Sequence, residues 1–252
     1  MRSFVFAAAA LAALAAPGIA RAQEAPVPPS HSWSFDGIFG TYDLAAAQRG
    51  YLVYSQVCAN CHSMNLLYFR DLEGLGFTPD QVKAFAAQVQ IEDGPNDQGK
   101  MFERPGKASD QFKPPFANPQ AARAALNGAL PPDLSLIVKA RHYGPDYVHA
   151  ILTGFRDPPA GFKMNDGMNY NEYFPGHQIA MPPPLADGAV TYADGTKATV
   201  DQMALDVATF LAWASEPHLE ERHRMGIRVI IFLVILTGVL YGVKRKVWAD
   251  VH

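Results

Sequence analysis

The only two cysteines of the 252-residue chain lie in Cys58-Ala59-Asn60-Cys61-His62, and the histidine directly behind them narrows the chemistry they can do. Zinc asks for four ligands, normally with a second pair, and no further cysteine exists, so histidines would have to complete the site. A thioredoxin-like dithiol belongs to a strand–helix setting, whereas this motif ends a helical pattern. Covalent haem c uses all three side chains. The thiols of Cys58 and Cys61 add to the vinyl groups, and His62 lies on the correct side to ligate iron. That reading fits the setting best. It leaves no cysteine for a disulfide and supplies a large apolar disc around which short helices and loops can pack.

Haem iron has a second axial position, and its occupant decides between electron transfer and ligand chemistry. The candidate methionines after the motif are Met64, Met101, Met164, Met168, Met181 and Met203. Met64 is two residues past His62 and cannot reach the opposite face of a haem. Met203 falls on an apolar helical stripe, where packing is the better account. Met164 and Met168 sit in glycine- and asparagine-rich chain. Met181 stands in "HQIAMPPPL", where three prolines would stiffen a loop holding sulfur against iron. Spacing alone leaves Met181 level with ordinary packing, and His142, His149 and His177 stay open for a bis-histidine site.

The elements that must position these residues read as mostly helical. Leu44, Ala47, Tyr51, Tyr54 and Cys58 recur at three- and four-residue steps, the period of one helix face. Gly50, beside that face, would let another helix approach closely. Thr78, Pro79 and Gln81 open a second helix with a capping box. Residues 93–119 read as a long irregular loop, and short helices follow at 121–126, 134–140 and 147–153. From 155 to 194 there is little periodicity, and Asp194-Gly195 suggests a small hairpin. The last helix of the body starts at Thr199, with Gln202 completing a capping box. Val200, Met203, Ala204, Val207, Phe210 and Leu211 form its apolar stripe, and Pro217 ends it. Ahead of all this, "QEAPVPPSHSWSFDGIFGTYD" is proline-rich and reads as an extended arm.

The two ends speak of location. Arg2, the apolar run at 4–16 and Ala20-Arg21-Ala22 make a cleavable secretory signal over 1–22. Met225 to Val243 gives 19 residues with one charge, Arg228, and roughly 20 apolar residues cross a bilayer. Arg228 can reach back to the headgroups, while Tyr241 and Trp248 suit the opposite interface. Lys244, Arg245 and Lys246 hold the tail on the cytoplasmic side. The expected order is signal at 1–22, exported body at 23–220, anchor at 221–246 (span about 225–243) and cytoplasmic tail at 247–252. Residues 23–220 hold 13 Lys/Arg and 22 Asp/Glu, a net −9. That disfavours nucleic acid and either favours basic protein partners or simply keeps the body soluble.

The segments "CANCHSMN", "NGALPPDLSLIVKARHYGPDYVHAILTGFRDPP", "NYNEYFPGHQIAMPPPL" and "FLAWASEPHLEERHRMG", followed by an apolar helix, resemble the cytochrome c1 family. Its members are the haem c subunits of the cytochrome bc1 complex, a quinol–cytochrome c oxidoreductase. The resemblance covers nearly all the chain after the signal. It implies a mainly α, class I cytochrome c-like haem domain with long irregular loops, plus one C-terminal transmembrane helix. It implies one covalent haem c on Cys58 and Cys61, with His62 and Met181 as axial ligands. Arg141 and Tyr147 would lie near the haem propionates, and Pro131 and Pro132 would shape the pocket. The implied role is a one-electron relay from a Rieske iron–sulfur protein to a soluble cytochrome c of c2 type. This would be a non-autonomous redox subunit of a proton-translocating enzyme complex, with no side chain doing acid–base work. Cytochrome b, the lipid bilayer and a dimeric parent complex are further implied partners. The short loop after His142 and the short tail suggest a bacterial inner membrane, with the haem domain in the periplasm. Two readings compete: a tethered c-type cytochrome of another respiratory complex, and a haem enzyme or gas sensor with an open sixth site.

Overall fold

The computed structural model describes residues 26–250, so the signal expected at 1–22 and the last two residues of the tail lie outside the described residues. Within them, α-helices run over Leu44–Gln56 (α1), Pro79–Ala87 (α2), Pro119–Ala125 (α3), Ile137–Ala140 (α4), Gly144–Thr153 (α5), Val200–Ser215 (α6) and Leu219–Val247 (α7). Gln90–Asp93 (β1) pairs antiparallel with Phe102–Pro105 (β2), and Asn169–Tyr170 (β3) with Gln178–Ile179 (β4). The protein is mainly helical with long irregular connections and one apolar C-terminal helix, as its sequence leads one to expect.

The body is organised around the crossing of α1 and α6. A Cβ on Gly50 would stand 2.0 Å from the Asp206 carbonyl oxygen and 2.7 Å from Phe210 Cβ, so glycine alone permits this approach. Beside it, Arg49 grips the buried Asp206 carboxylate with two parallel bonds, Nε to Oδ2 at 3.0 Å and Nη2 to Oδ1 at 2.9 Å. A buried carboxylate left without such a partner would cost several kcal/mol, on the order of 3–5. Tyr51 and Tyr54 of α1 then pack on Phe210, with ring centroids 5.8 and 5.7 Å apart, and Phe112 closes the cluster over Tyr54 at 5.9 Å. Both helices are therefore fixed in register where the Cys-x-x-Cys-His motif leaves α1.

Several local expectations need correcting. Leu44 is 42% exposed, so the packed face of α1 begins at Ala47. The stretch at 93–119 is not wholly irregular, because β1 and β2 form a hairpin. Their sequences, Gln-Ile-Glu-Asp and Phe-Glu-Arg-Pro, show no alternation that would reveal a strand. What holds the hairpin is Arg104, which pairs with Asp93 and with Asp110 at 2.6 Å. Conversely, Asp194-Gly195 makes a turn without strands. The Asp194 carboxylate is used instead to accept the Thr196 amide at 2.9 Å and Arg49 Nη1 at 2.9 Å. Thr199 caps α6 through the Gln202 amide at 3.2 Å, but the Gln202 side chain donates to Asp206 at 3.1 Å rather than closing the box. The capping box at Thr78 and Gln81 is complete.

The proline-rich arm is strapped down. Trp33 is buried, and its indole N–H donates to Asp146 Oδ1 on α5 at 2.7 Å. Past α6 the chain restarts as α7, two residues earlier than the expected 221, because Leu219 packs on the core and Glu220 accepts the Tyr42 amide at 3.0 Å. Its 29 residues make a rod about 44 Å long. None of them is fully buried, and length and composition suffice to cross a membrane.

Candidate functional site

After Gln56 the chain tightens into a 3-10 turn at Cys58–Asn60. The amides of Cys61 and His62 both return to the Cys58 carbonyl, at 3.1 and 2.9 Å. Asn60 Nδ2 covers the open helix-end carbonyls of Gln56 and Val57, at 3.1 and 3.2 Å. The two cysteines are unpaired and half-buried. Desolvation around Cys58, reinforced by the neighbouring Cys61, pushes its thiol up to about 12. With no cation beside it, such a sulfur is a neutral thiol at neutral pH. Among the described residues no group of three or more His, Cys, Asp or Glu side chains is placed to hold a metal ion directly.

His62 is oriented with care. Its Nδ1 lies 2.8 Å from the Pro132 carbonyl oxygen. A carbonyl can only accept, so Nδ1 carries the proton and Nε2 keeps the lone pair that a metal needs. Burial lowers the imidazole pKa, and this outweighs the Pro132 carbonyl and the Asp133 charge, which act in the opposite direction. The ring is neutral at neutral pH and ready to ligate.

What fixes the Pro132 carbonyl is Asp133, a residue the motif reading passes over. Its Oδ2 accepts the Ser63 hydroxyl at 2.7 Å and the Asn65 amide at 2.9 Å, and its Oδ1 accepts the Ser135 amide at 2.9 Å. The Leu134 amide donates to the Ser63 carbonyl at 2.9 Å, and the Leu66 amide to Ser135 Oγ at 3.1 Å. Burial acts to raise the Asp133 pKa, but the bonds from Ser135, Asn65 and Ser63 pull it below the ordinary carboxylate value. The Asp-x-Ser pattern of "PPDLS" was the available signal, since such side chains close local turns.

Met181 lies two residues past the end of β4 and is half-buried. Asn169, whose register partner in β3–β4 is Ile179, donates from Nδ2 to the Met181 carbonyl at 3.3 Å. Among the described residues no hydrogen bond ties this segment to the His62 turn. Met64 and Met203 are fully buried in the core, and Met101 and Met168 are exposed. His149 is buried and spends Nε2 on Asp201 at 2.9 Å, while the His177 ring stacks on Tyr170. His142 is exposed beside Tyr143.

The remaining pocket residues gather near the same turn in sequence. Tyr147 is half-buried, and burial raises its hydroxyl pKa while the nearby Arg141 cation opposes that rise. Arg141 itself is exposed, with Nη1 on the Ala140 carbonyl at 3.1 Å. Pro131 is half-buried and Pro132 exposed. On either side of them Leu130 and Leu136 show apolar surface, 44% and 46% exposed. Two unpaired thiols, a neutral imidazole with a free Nε2, and apolar surface beside them fit a haem c.

A helical body with this donor set, carried on an apolar helix, defines a class: haem-binding electron-transfer proteins. The chain belongs to the cytochrome c1 family, whose model matches residues 33–251. It is 54% identical to "Cytochrome c1 1, heme protein, mitochondrial" of Arabidopsis thaliana over 223 residues, 88% of this chain and 72% of that protein. Cytochrome c1 of Rhodospirillum rubrum is 44% identical over 255 residues, 94% of each chain. "Cytochrome b/c1" of Bradyrhizobium diazoefficiens is 51% identical over 92% of this chain, which spans only 37% of that longer protein.

Proposed function

We propose that the chain is the electron-transfer subunit of a cytochrome bc1 complex, taking one electron from a Rieske iron–sulfur subunit and delivering it to a soluble cytochrome c. The observation that carries this is the His62–Pro132 bond, which leaves Nε2 free beside two unpaired thiols in a member of this family. When bound, haem c supplies a one-electron change at iron.

The residues around it have distinct tasks. Cys58 and Cys61 would hold the group through two thioethers, and His62 Nε2, with the ring angle fixed by the Pro132 carbonyl, would ligate the iron. Met181 would supply the second protein ligand, a soft sulfur that raises the potential. Arg141 and Tyr147 offer a guanidinium and a hydroxyl to the propionates, and Pro131 and Pro132 set the turn against the ring. With His62 and Met181 both committed to the iron, no position would be left open there for ligand chemistry, and the chain works only as part of the complex.

Topology follows the same reading. The signal occupies 1–22, the haem domain at 23–220 lies in the periplasm, the anchor at 221–246 crosses the bacterial inner membrane, and 247–252 is cytoplasmic. Cytochrome b is the neighbour in the membrane, and the parent complex is a dimer. The net −9 of residues 23–220 steers a basic carrier of c2 type, so the bimolecular rate falls as ionic strength rises.

The decisive substitution is Met181→Ala in the membrane-bound complex. The methionine–iron charge-transfer absorption disappears and the midpoint potential falls, because weaker ligation favours ferric iron. An unchanged spectrum and potential would overturn the axial assignment. Carbon monoxide binding by the reduced, unsubstituted protein would point instead to a haem enzyme or sensor.

A further inference from the structure

The arm ahead of α1 ends in a tight turn that exposes two large apolar side chains. Ile38 is 66% exposed and Phe39 78%, at the corners of a turn closed by the Gly40 amide on the Gly37 carbonyl at 3.2 Å. The turn is rigidly built. A Cβ on Gly40 would stand 2.3 Å from the Phe35 carbonyl group, and Gly37 adopts a φ of 76°. The Thr41 amide returns to the Ser34 carbonyl at 3.0 Å, and Trp33 and Phe35 stack below with centroids 5.6 Å apart. Two apolar tips on a stiff base facing water would be a standing liability unless something covers them.

Their position says what covers them. Tyr42, three residues past Phe39, donates its amide to Glu220 in the first turn of α7 at 3.0 Å, and its hydroxyl bonds the carbonyls of Ala212 and Glu216 at the end of α6. Glu216 also pairs with Lys139 at 2.5 Å and with Arg222, so the start of α7 is locked to the body. From Glu220 to Met225, where the apolar run begins, the helix rises about 7–8 Å. The polar headgroup layer of one leaflet is itself about 5–8 Å deep. Phe39 is within about 10 Å of chain from Tyr42, so the turn is near enough to reach headgroup level once α7 enters the bilayer. Arg224 and Arg228 on that entry add the basic charge that accompanies apolar residues at anionic membrane surfaces, with Glu220 and Glu221 of the first turn held toward the body side of them.

We propose that the Gly37–Gly40 turn is a second membrane contact, with Ile38 and Phe39 inserted into the headgroup–acyl boundary beside the entry of α7. The contact adds a second point of attachment to the single span and so fixes the tilt of the body over the bilayer. This rests on α7 being a bilayer span, and the test separates the two ideas.

Ile38→Cys, Phe39→Cys, Lys83→Cys and Leu233→Cys are each spin-labelled in the full complex in liposomes. Labelling of the unsubstituted protein corrects for any reaction at Cys58 or Cys61. Collision with oxygen relative to a water-soluble nickel chelate then reads depth. The ratio is expected to be several-fold higher at 38 and 39 than at the exposed helix position 83, approaching that at 233. A water-like ratio at 233 would overturn the span reading and this inference with it. A bilayer-like ratio at 233 with water-like ratios at 38 and 39 would overturn the inference alone. Labels at 38 and 39 shielded from both reagents would mean that a protein partner, not lipid, covers the turn, and would likewise overturn it.

Discussion

The two sides of the candidate site are built very differently. On the histidine side, residues 62–66 and 132–135 are zipped together by the His62–Pro132 bond, the three bonds to Asp133, and the Leu134 and Leu66 amide bonds. On the methionine side, Met181 is steadied by a single side-chain bond, 3.3 Å from Asn169, on a sheet of two-residue strands. The chemistry explains the asymmetry. An imidazole must have its tautomer and ring angle set before it can ligate, which needs an outer shell of hydrogen bonds. A thioether has no proton to place and tolerates a range of approach angles, so a proline-stiffened loop is enough. The histidine side is preorganised by the fold, while the methionine side, on the function proposed, would be completed by what it binds.

The severest way to break this comparison is to remove the foundation of the histidine side. Gly50→Ala would drive a methyl group to 2.0 Å from the Asp206 carbonyl oxygen. Overpacking against backbone costs about 3 kcal/mol or more, a large fraction of the roughly 5–15 kcal/mol that holds a domain together. We expect a strongly lowered Tm and little covalent haem in the membrane fraction. A Tm within a degree or so of the unsubstituted protein would show that the α1–α6 crossing does not position the motif.

Asp133→Ala is the next largest. It leaves the donors of Ser63, Asn65 and Ser135 to find other partners, at a cost of about 2 kcal/mol for a partly exposed carboxylate, and loosens the turn that presents Pro132. Asp133→Asn, which keeps an acceptor, should recover part of the loss in thermal denaturation. The linkage has a definite sign. The folded-state pKa of Asp133 lies below its usual value, so its contribution is full above the unfolded pKa, about 3.9. It is lost as pH falls from there through the depressed folded value. The stability difference between Asp133→Ala and the unsubstituted protein should therefore be constant around neutrality and shrink in acid. A difference independent of pH down to acid unfolding would count against a charged role.

How much of this could be read from the chain alone depends on the range of the interactions. The start of α2 at Thr78 and Pro79, the end of α6 before Pro217 and the need for glycine at position 50 are local or periodic signals, and all are visible in sequence. The β1–β2 hairpin was invisible because its strands are charged and its clamp, Arg104 between Asp93 and Asp110, has no periodic signature. Asp194 was misread for a related reason. Its carboxylate is claimed by Arg49, 145 positions away, and long-range partners overrule turn propensity. At the site, Cys58, Cys61 and His62 announce themselves by spacing, whereas Asp133 shows only its local Asp-x-Ser turn and not its long-range bonds from Ser63 and Asn65. Met181 shows the opposite limit. Neither its spacing nor its sparse contacts single it out, and only family resemblance favours it.

The smallest expected effect tests the methionine side on its own terms. Asn169→Ala removes one long bond to the Met181 carbonyl and should cost global stability no more than about 1 kcal/mol. Its consequence should appear locally. If the loop is steadied mainly by its ligand, the methionine–iron charge-transfer band of the variant forms normally at low temperature but fades at a lower temperature than in the unsubstituted protein. Unfolding of the body, followed by far-ultraviolet circular dichroism, should barely move. That separation between loss of the band and loss of the helices is the signature of a side completed by binding. If Asn169→Ala lowered the Tm of the whole body as much as Asp133→Ala, the methionine loop would be as deeply built into the fold as the histidine turn, and the contrast between them would fail.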